Sequence, residues 1–258
     1  MRHRRKALPG VDAELLLKDA AKLAPDPARR MLLRGGASLG LLSLLTGCDI
    51  IDGESAERAL MQVSHFNDRV QAWLFSPSKL APTYPDSAVA RPFPYNAYYP
   101  EEDAPEVDAD DYKLIVGGLV ESKESWTLDE LHALPQETQI TRLVCVEGWS
   151  AIGKWTGIPL REFLRQIGAD QRAKYVWFRC AEGYSTSIDM PTALHPQTQM
   201  TLRIDGEVLP RKYGFPMRVR IPTKLGFKNP KHVMELAVTN KYLGGYWEDR
   251  GYNWFSGS

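Results

Sequence analysis

Arg142-Leu143-Val144-Cys145-Val146-Glu147-Gly148-Trp149 is the stretch on which the reading of this chain turns. Gln139–Val146 reads as a strand, and Cys145 falls at its end, before a turn containing glycine. A cysteine so placed can project into a cleft, where nearby Arg142 would favour its thiolate. On this segment alone an inert buried cysteine is the favoured alternative. Lys154-Trp155-Thr156-Gly157 follows shortly after.

Two later segments change the balance. Asp205-Gly206-Glu207-Val208-Leu209-Pro210 leads into Tyr213-Gly214-Phe215-Pro216-Met217-Arg218-Val219. Ile221-Pro222-Thr223-Lys224-Leu225-Gly226-Phe227-Lys228-Asn229-Pro230-Lys231 comes next. Together they set Arg211, Lys212, Arg218, Arg220, Lys224, Lys228 and Lys231 among Gly and Pro turns. Fixed turns with backbone N–H groups and cations make an anion cradle. A merely solvated basic face would not need the turns.

Working outward, the pattern is that of a mixed α+β domain. Strands are predicted over Tyr112–Val120, Lys174–Cys180, Met217–Ile221 and Val233–Val238, with a hairpin turn at Asp205-Gly206. Thr127-Leu128-Asp129-Glu130 reads as a capping box opening a helix over Leu128–Leu134. A second helix runs from Pro159 to Ile167, with Gly168 after it. Residues 76–100, rich in Pro and Tyr, predict an extended arm, and Glu101–Asp111 a solvated acidic loop. No internal repeat or low-complexity tract stands out.

Composition excludes several classes. With 258 residues, 43% of them hydrophobic and 25% charged, the chain is neither collagen-like, coiled-coil nor wholly disordered. Lys+Arg and Asp+Glu are 32 each, so no basic excess points to nucleic acid. There is no dinucleotide fingerprint, P-loop, haem-attachment motif or serine elbow. His3, His65, His132, His195 and His232 are scattered, which argues against a zinc hydrolase.

The charge is uneven. Residues 1–47 carry nine basic and four acidic side chains, and the remainder has a net charge of −5. Gly35–Gly47 is an apolar run of thirteen residues, too short to span a bilayer but suited to a signal-peptide core. Arg29-Arg30 stands before it in the manner of a twin-arginine signal. Leu45-Thr46-Gly47-Cys48 stands behind it in the manner of a lipobox, so Cys48 is expected to be the acylated mature N-terminus. A start at Met31 would instead leave a Sec-type lipoprotein signal. The expected organisation is a leader over 1–47, a tether over 48–64 and one domain over 65–258. With Cys48 lipidated, Cys145 and Cys180 are left to form a disulfide or to supply a metal-binding thiolate.

A thiolate beside a phosphate-type cradle, without a nucleotide motif, resembles the sulfite-oxidase-type molybdopterin domain. The closest likeness is to its periplasmic methionine sulfoxide reductase branch, over roughly Phe66–Tyr252. The Cys-Val-Glu-Gly-Trp-Ser stretch and the series from Asp205 to Lys231 carry the likeness. The resemblance implies a molybdenum-molybdopterin cofactor, with no haem or nicotinamide, and Cys145 as the single protein ligand to the metal. It carries pterin contacts onto Asn67, Val70, Gln71, Arg218, Asn229, Pro230 and Lys231. Cys180 stands where the branch has a Thr, and Tyr213 where it has an Asn. Implied with these are two-electron oxygen-atom transfer on a small substrate, a membrane haem or quinol-linked electron partner, and a monomer. A domain loaded with cofactor in the cytoplasm must be exported folded, which agrees with the twin-arginine leader and a periplasm-facing, inner-membrane location. Sulfite-type oxidation and a non-catalytic binding module are the alternatives. Glu147 and Trp149 follow the metal cysteine where sulfite oxidases have glycine-containing, cationic sequence, which favours reduction of a neutral S-oxide or N-oxide.

Overall fold

In the computed structural model, residues 53–258 are described, with side chains from residue 60 onward. The leader, Cys48 and the first five residues of the expected tether, 48–52, lie outside the described residues.

The first element is helix α1, Gly53–Leu74. It replaces the polar tether expected up to residue 64 and crosses the expected domain boundary. Its docked positions are Ser64, Asp68 and Gln71, spaced at one helical turn. Buried Asp68 accepts hydrogen bonds from Asn253 Nδ2 at 2.6 Å and from the Phe255 backbone N–H at 2.8 Å.

An arm then crosses the body as expected, with Thr83 bridging Thr141. The strands follow: β1 Lys113–Gly118, β2 Trp126–Thr127, β3 Glu137–Val144, β4 Ser150–Pro159 and β5 Tyr175–Cys180. After these come β6 Ser185–Asp189, β7 Gln199–Ile204, β8 Glu207–Val208, β9 Arg218–Arg220 and β10 Val233–Thr239. One sheet has the order β2-β1-β10-β5-β6, and only its β1–β10 pair is parallel. The other has the order β3-β4-β7-β8, with β9 also paired to β7. Three short helices connect them: α2 Leu128–Ala133, α3 Leu160–Gln166 and α4 Met190–Ala193.

Local chemistry explains the joints. Thr127 and Glu130 form the reciprocal capping box that opens α2. Pro159 caps α3, whose buried Leu160, Phe163 and Leu164 face the larger core. That core takes Leu114 and Val116 from β1, Val176 and Phe178 from β5, and Leu236 and Val238 from β10. This alternation is what a half-buried strand requires. A second, smaller core gathers Phe93, Leu143, Trp155, Leu209 and Tyr213. It lies beneath the second sheet and carries the arginines described next.

Candidate active site

Cys145 occupies the turn between β3 and β4 rather than the strand itself. Val144 pairs with Ser150, and five residues close the loop. The Cys145 N–H donates to Trp149 O at 2.8 Å, and the Gly148 N–H to Cys145 O at 3.2 Å. This holds the half-buried thiol over a cavity of about 210 Å³. Gly226 presses on the same turn: a Cβ there would stand 3.3 Å from Leu143 Cδ2. The same Cβ would stand 3.6 Å from Cys145 Cα, an ordinary contact, so a larger residue there would ask Leu143 to give by a few tenths of an ångström.

Arg142 does not activate the thiol. It is exposed and lines a different cavity, with Lys79 and Phe255. Three positions apart on an extended chain, Arg142 and Cys145 point to opposite faces. Burial, and then the Glu147 carboxylate, push the thiol up from its ordinary value, partly offset by backbone N–H groups. Glu147 Oε2 lies 3.7 Å from Cys145 Sγ and accepts from Trp149 Nε1 at 3.0 Å. Cys145 and Cys180 are both free thiols.

The cationic residues do not form one cradle. Arg211 is spent on the carbonyls of Ala104 and Pro105, and Lys212 pairs with Glu101 at 3.0 Å. Lys228 is buried against Glu248. Lys224 sits over the Phe255 ring, 3.9 Å from Asp189. Arg218, Arg220 and Lys231 remain. The two guanidinium groups flank the fully buried Trp155, at 5.0 and 4.8 Å from its ring centroid. Neither has a carboxylate partner among the described residues. Arg218 donates to Tyr213 O at 3.1 Å but leaves Nε and Nη2 unpaired, and Arg220 leaves Nε unpaired. Burial pushes Arg218 down to about 10 and Arg220 well down, the latter also by its neighbour's like charge. Lys231 is pushed down to about 7 by burial and then by Arg218, and its ammonium lies over Tyr95 and Tyr99. Buried cations without a counter-charge are costly unless an anion joins them.

Of the residues expected to contact a pterin, Cys145, Asn229, Pro230 and Lys231 line this one cavity. Arg218 stands within electrostatic reach of Lys231 and Tyr99. Tyr213 packs behind it, with its hydroxyl on Phe93 O. Cys180 is buried outside the lining, where desolvation pushes its thiol far up. Asn67, Val70 and Gln71 lie on α1 and do not line the cavity. Sequence reading passed over the residues that do: Asn96, Tyr98 and Tyr99 from the arm, and Glu182 from the β5–β6 turn. The signal available was a lone Asn among tyrosines in Tyr95-Asn96-Ala97-Tyr98-Tyr99. Asn96 Oδ1, Tyr99 Oη and Glu182 Oε2 are buried without partners. Trp149 and Trp155 are not cavity walls. That role falls to Tyr98, Tyr99, Tyr184, Trp247 and Tyr252.

A thiol on the β3–β4 turn and orphaned polar atoms around one cavity, with two buried guanidinium groups outside its lining that lack a counter-charge, fit a cofactor that combines a soft metal, a polar ring and an anionic tail. The fold and site define a molybdopterin-dependent oxidoreductase. Residues 101–247 match the oxidoreductase molybdopterin binding domain, and the chain belongs to that family. It is 62% identical, over 93% of its own length and 92% of the relative's, to an Azospira oryzae protein provisionally named protein-methionine-sulfoxide reductase subunit YedZ1. It is 34% identical to the protein-methionine-sulfoxide reductase catalytic subunit MsrP of Ralstonia nicotianae, over 53% of this chain and 46% of that one. A counterpart from Xanthomonas axonopodis is 32% identical over 60% of this chain and 56% of that one. The chain thus spans about half the length of the MsrP relatives it matches. Among solved structures, the sulfane dehydrogenase SoxCD of Paracoccus pantotrophus shares the fold, with a TM-score of 0.51 and 22% identity over 54% of this chain and 41% of that one. The protein is an α+β oxidoreductase of the molybdopterin-binding family, and its cofactor is molybdenum-molybdopterin.

Proposed function

We propose that this enzyme reduces a neutral S-oxide, methionine sulfoxide in particular, in preference to oxidising sulfite. The observation that carries the reading is Glu147, whose carboxylate stands 3.7 Å from the Cys145 thiol. At about 5 Å and an effective dielectric near 20, each unit of negative charge on a substrate costs about 3 kcal/mol there. A neutral sulfoxide avoids that penalty. The aromatic wall of Tyr98, Tyr99, Tyr184, Trp247 and Tyr252 suits a polarisable sulfur. The names of the relatives point the same way.

When bound, the cofactor supplies a two-electron centre that takes up or releases one oxygen atom. Cys145 Sγ is the protein ligand to molybdenum, a soft donor for such a metal. Arg218 and Lys231, with Arg220 beside them, would hold the anionic tail as charge-assisted donors. Asn96, Tyr99 and Asn229 present polar atoms to the ring system. Glu182, raised by burial to about 7, holds a proton at its carboxyl in near-neutral solution and could supply one of the two protons that reduction of an S-oxide consumes, the other coming from solvent. Electrons come from a separate membrane partner of haem or quinol-linked type. Two relatives bearing "subunit" names support a partner. The Arg29-Arg30, Gly35–Gly47 and Cys48 series supports twin-arginine export and a lipid anchor facing the periplasm.

Steady-state rates with artificial donors and acceptors test the activity. Reduction of methionine sulfoxide, dimethyl sulfoxide or trimethylamine N-oxide is expected to dominate. A kcat/KM for sulfite oxidation far above all three overturns the reading. Mass spectrometry of the mature N-terminus tests the anchor: an unmodified Cys48 removes it.

A further inference from the structure

Helix α1 is amphipathic in an inverted sense. Its polar residues Ser64, Asp68 and Gln71 face the domain, with Gln71 Oε1 3.4 Å from the Gly257 N–H. Roughly 140° round the helix, at about 100° per residue, apolar side chains face out on either side of half-buried Val70. Trp73 is 82% exposed, Leu60 69%, Leu74 68%, Phe66 58% and Val63 56%. Val63, Phe66, Trp73 and Leu74 share one sector of about 100° and form a stripe along residues 63–74, whereas Leu60 lies near the edge of the domain-facing side. Soluble surfaces seldom leave such a continuous apolar patch without an occupant.

We propose that this stripe is a membrane-contact face, with α1 lying in the headgroup layer of a lipid bilayer. The proposal rests on the lipid-anchor reading above. An anchor at Cys48 leaves only five residues, Cys48–Asp52, before Gly53. At about 3.5 Å per residue they reach no further than about 17 Å, so α1 starts close to the bilayer surface. Five residues are also too few to fold back over the stripe, so its cover comes from outside the mature chain. The composition suits an interfacial helix, with Phe and Leu on the buried side and Trp toward one end. Exposed Arg69, on α1, and Lys79 and Arg142, beside Leu74 in a shared cavity, add cations that favour anionic headgroups.

The test uses the mature holoenzyme extracted from membranes and reconstituted into vesicles containing anionic lipid brominated along the acyl chains. Bromine quenches only tryptophans inserted in the bilayer. Trp73 fluorescence is expected to be quenched, and Trp73→Phe should remove most of the quenchable signal. The double variant Phe66→Ser, Trp73→Ser should keep its molybdenum content, which reports an intact fold, and bind vesicles at least tenfold more weakly once the lipid is removed enzymatically. A lipidated protein whose quenching is unchanged by Trp73→Phe keeps the anchor and overturns the face. An unlipidated protein with Trp73 quenched loses the anchor and keeps the face. Protection of Trp73 only when a protein subunit is added overturns the lipid assignment in favour of that subunit.

Discussion

Two turns in this molecule have nearly the same sequence and opposite fates. Cys145-Val146-Glu147-Gly148-Trp149-Ser150 joins β3 to β4, and Cys180-Ala181-Glu182-Gly183-Tyr184-Ser185 joins β5 to β6. Each closes on a strand pair seven residues in span, Val144 with Ser150 and Arg179 with Ser185. Each makes the same two backbone bonds, at 2.8 and 3.2 Å in the first and 2.8 and 3.1 Å in the second. The glycines take φ values of 89° and 80°. So the chain does hold a short repeat, Cys-x-Glu-Gly-aromatic-Ser, legible in the sequence itself though too short to stand out as an internal repeat. Local sequence sets the turn, and packing decides what its side chains do. In the first, the cysteine is half-exposed to the cavity and the glutamate lines it from an exposed position. In the second, the cysteine is buried in the larger core and the glutamate is drawn in beneath Tyr184 and Lys231. Both turns contribute to one cavity, from different sheets.

Exchanging each cysteine for serine breaks the symmetry most sharply. Cys145→Ser is expected to lower turnover by at least about 10³-fold, as loss of a group central to the chemistry does, and to alter the molybdenum spectrum while the domain stays folded. Cys180→Ser should retain most activity and instead lose about 1–2 kcal/mol of stability, because a polar hydroxyl replaces the thiol in the core with only the Lys231 backbone N–H beside it. Equal activity losses in the two variants would refute the division of labour, as would an unchanged metal spectrum in Cys145→Ser.

The next effect is on loading. Arg218→Met removes a buried charge-assisted donor worth about 1.5–3 kcal/mol to an anion, so cofactor affinity should fall about 10–150-fold. The cofactor-free variant should be no less stable than the cofactor-free parent, since the change also removes an uncompensated buried charge. Full molybdenum content in purified Arg218→Met counts against the anion site around Trp155.

How much of this was legible is a matter of periodicity and burial. The capping box at Thr127, the hairpin at Asp205-Gly206 and the strands at β1, β5, β9 and β10 announced themselves because each is a local pattern. Strand β4 did not. No strand is predicted over 150–159, where Gly153 and Gly157 interrupt the pattern, yet they let Trp155 and Met200 approach, with a register shift between Thr156 and Gly157. Helix α1 was taken for a tether because its domain-facing residues are polar and its apolar side faces out. In the site, Cys145, Asn229, Pro230 and Lys231 could be placed from motif likeness. Asn96, Tyr99 and Glu182 could not, because only tertiary folding brings the arm and the β5–β6 turn to the thiol.

Titration gives a smaller, signed test of the inward-drawn glutamate. In the cofactor-free protein, burial raises Glu182 from 4.5 to about 7. The folded state then binds more protons than the unfolded state between those values, so this contribution is full below pH 4.5 and is lost as pH rises through 7. Allowing for partial exposure, the loss is about 2 kcal/mol. Lys231, lowered from 10.5 to about 7, acts with the opposite sign, and stability recovers between pH 7 and 10.5. Urea midpoints measured across pH should show a minimum near neutrality. Glu182→Gln should flatten the acid side alone, and a Glu182→Gln curve identical to the parent's would show that the carboxyl is solvated.

The smallest effect probes the shared backbone itself. Gly148 and Gly183 sit at positive φ, and a Cβ added to either would meet nothing within 4 Å. The cost of Ala at each is therefore backbone strain alone, about 1–2 kcal/mol, with no clash to inflate it. Because the two turns have the same span and the same bonds, the two costs should agree within about 0.5 kcal/mol, despite the different burial of the neighbouring cysteines. Chemical denaturation of Gly148→Ala and Gly183→Ala in the cofactor-free protein makes the comparison directly. Agreement assigns the turn to its six residues. A Gly183→Ala cost several times that of Gly148→Ala would mean that the second turn is held in shape by the core beneath it, and that the likeness between the two is imposed from outside.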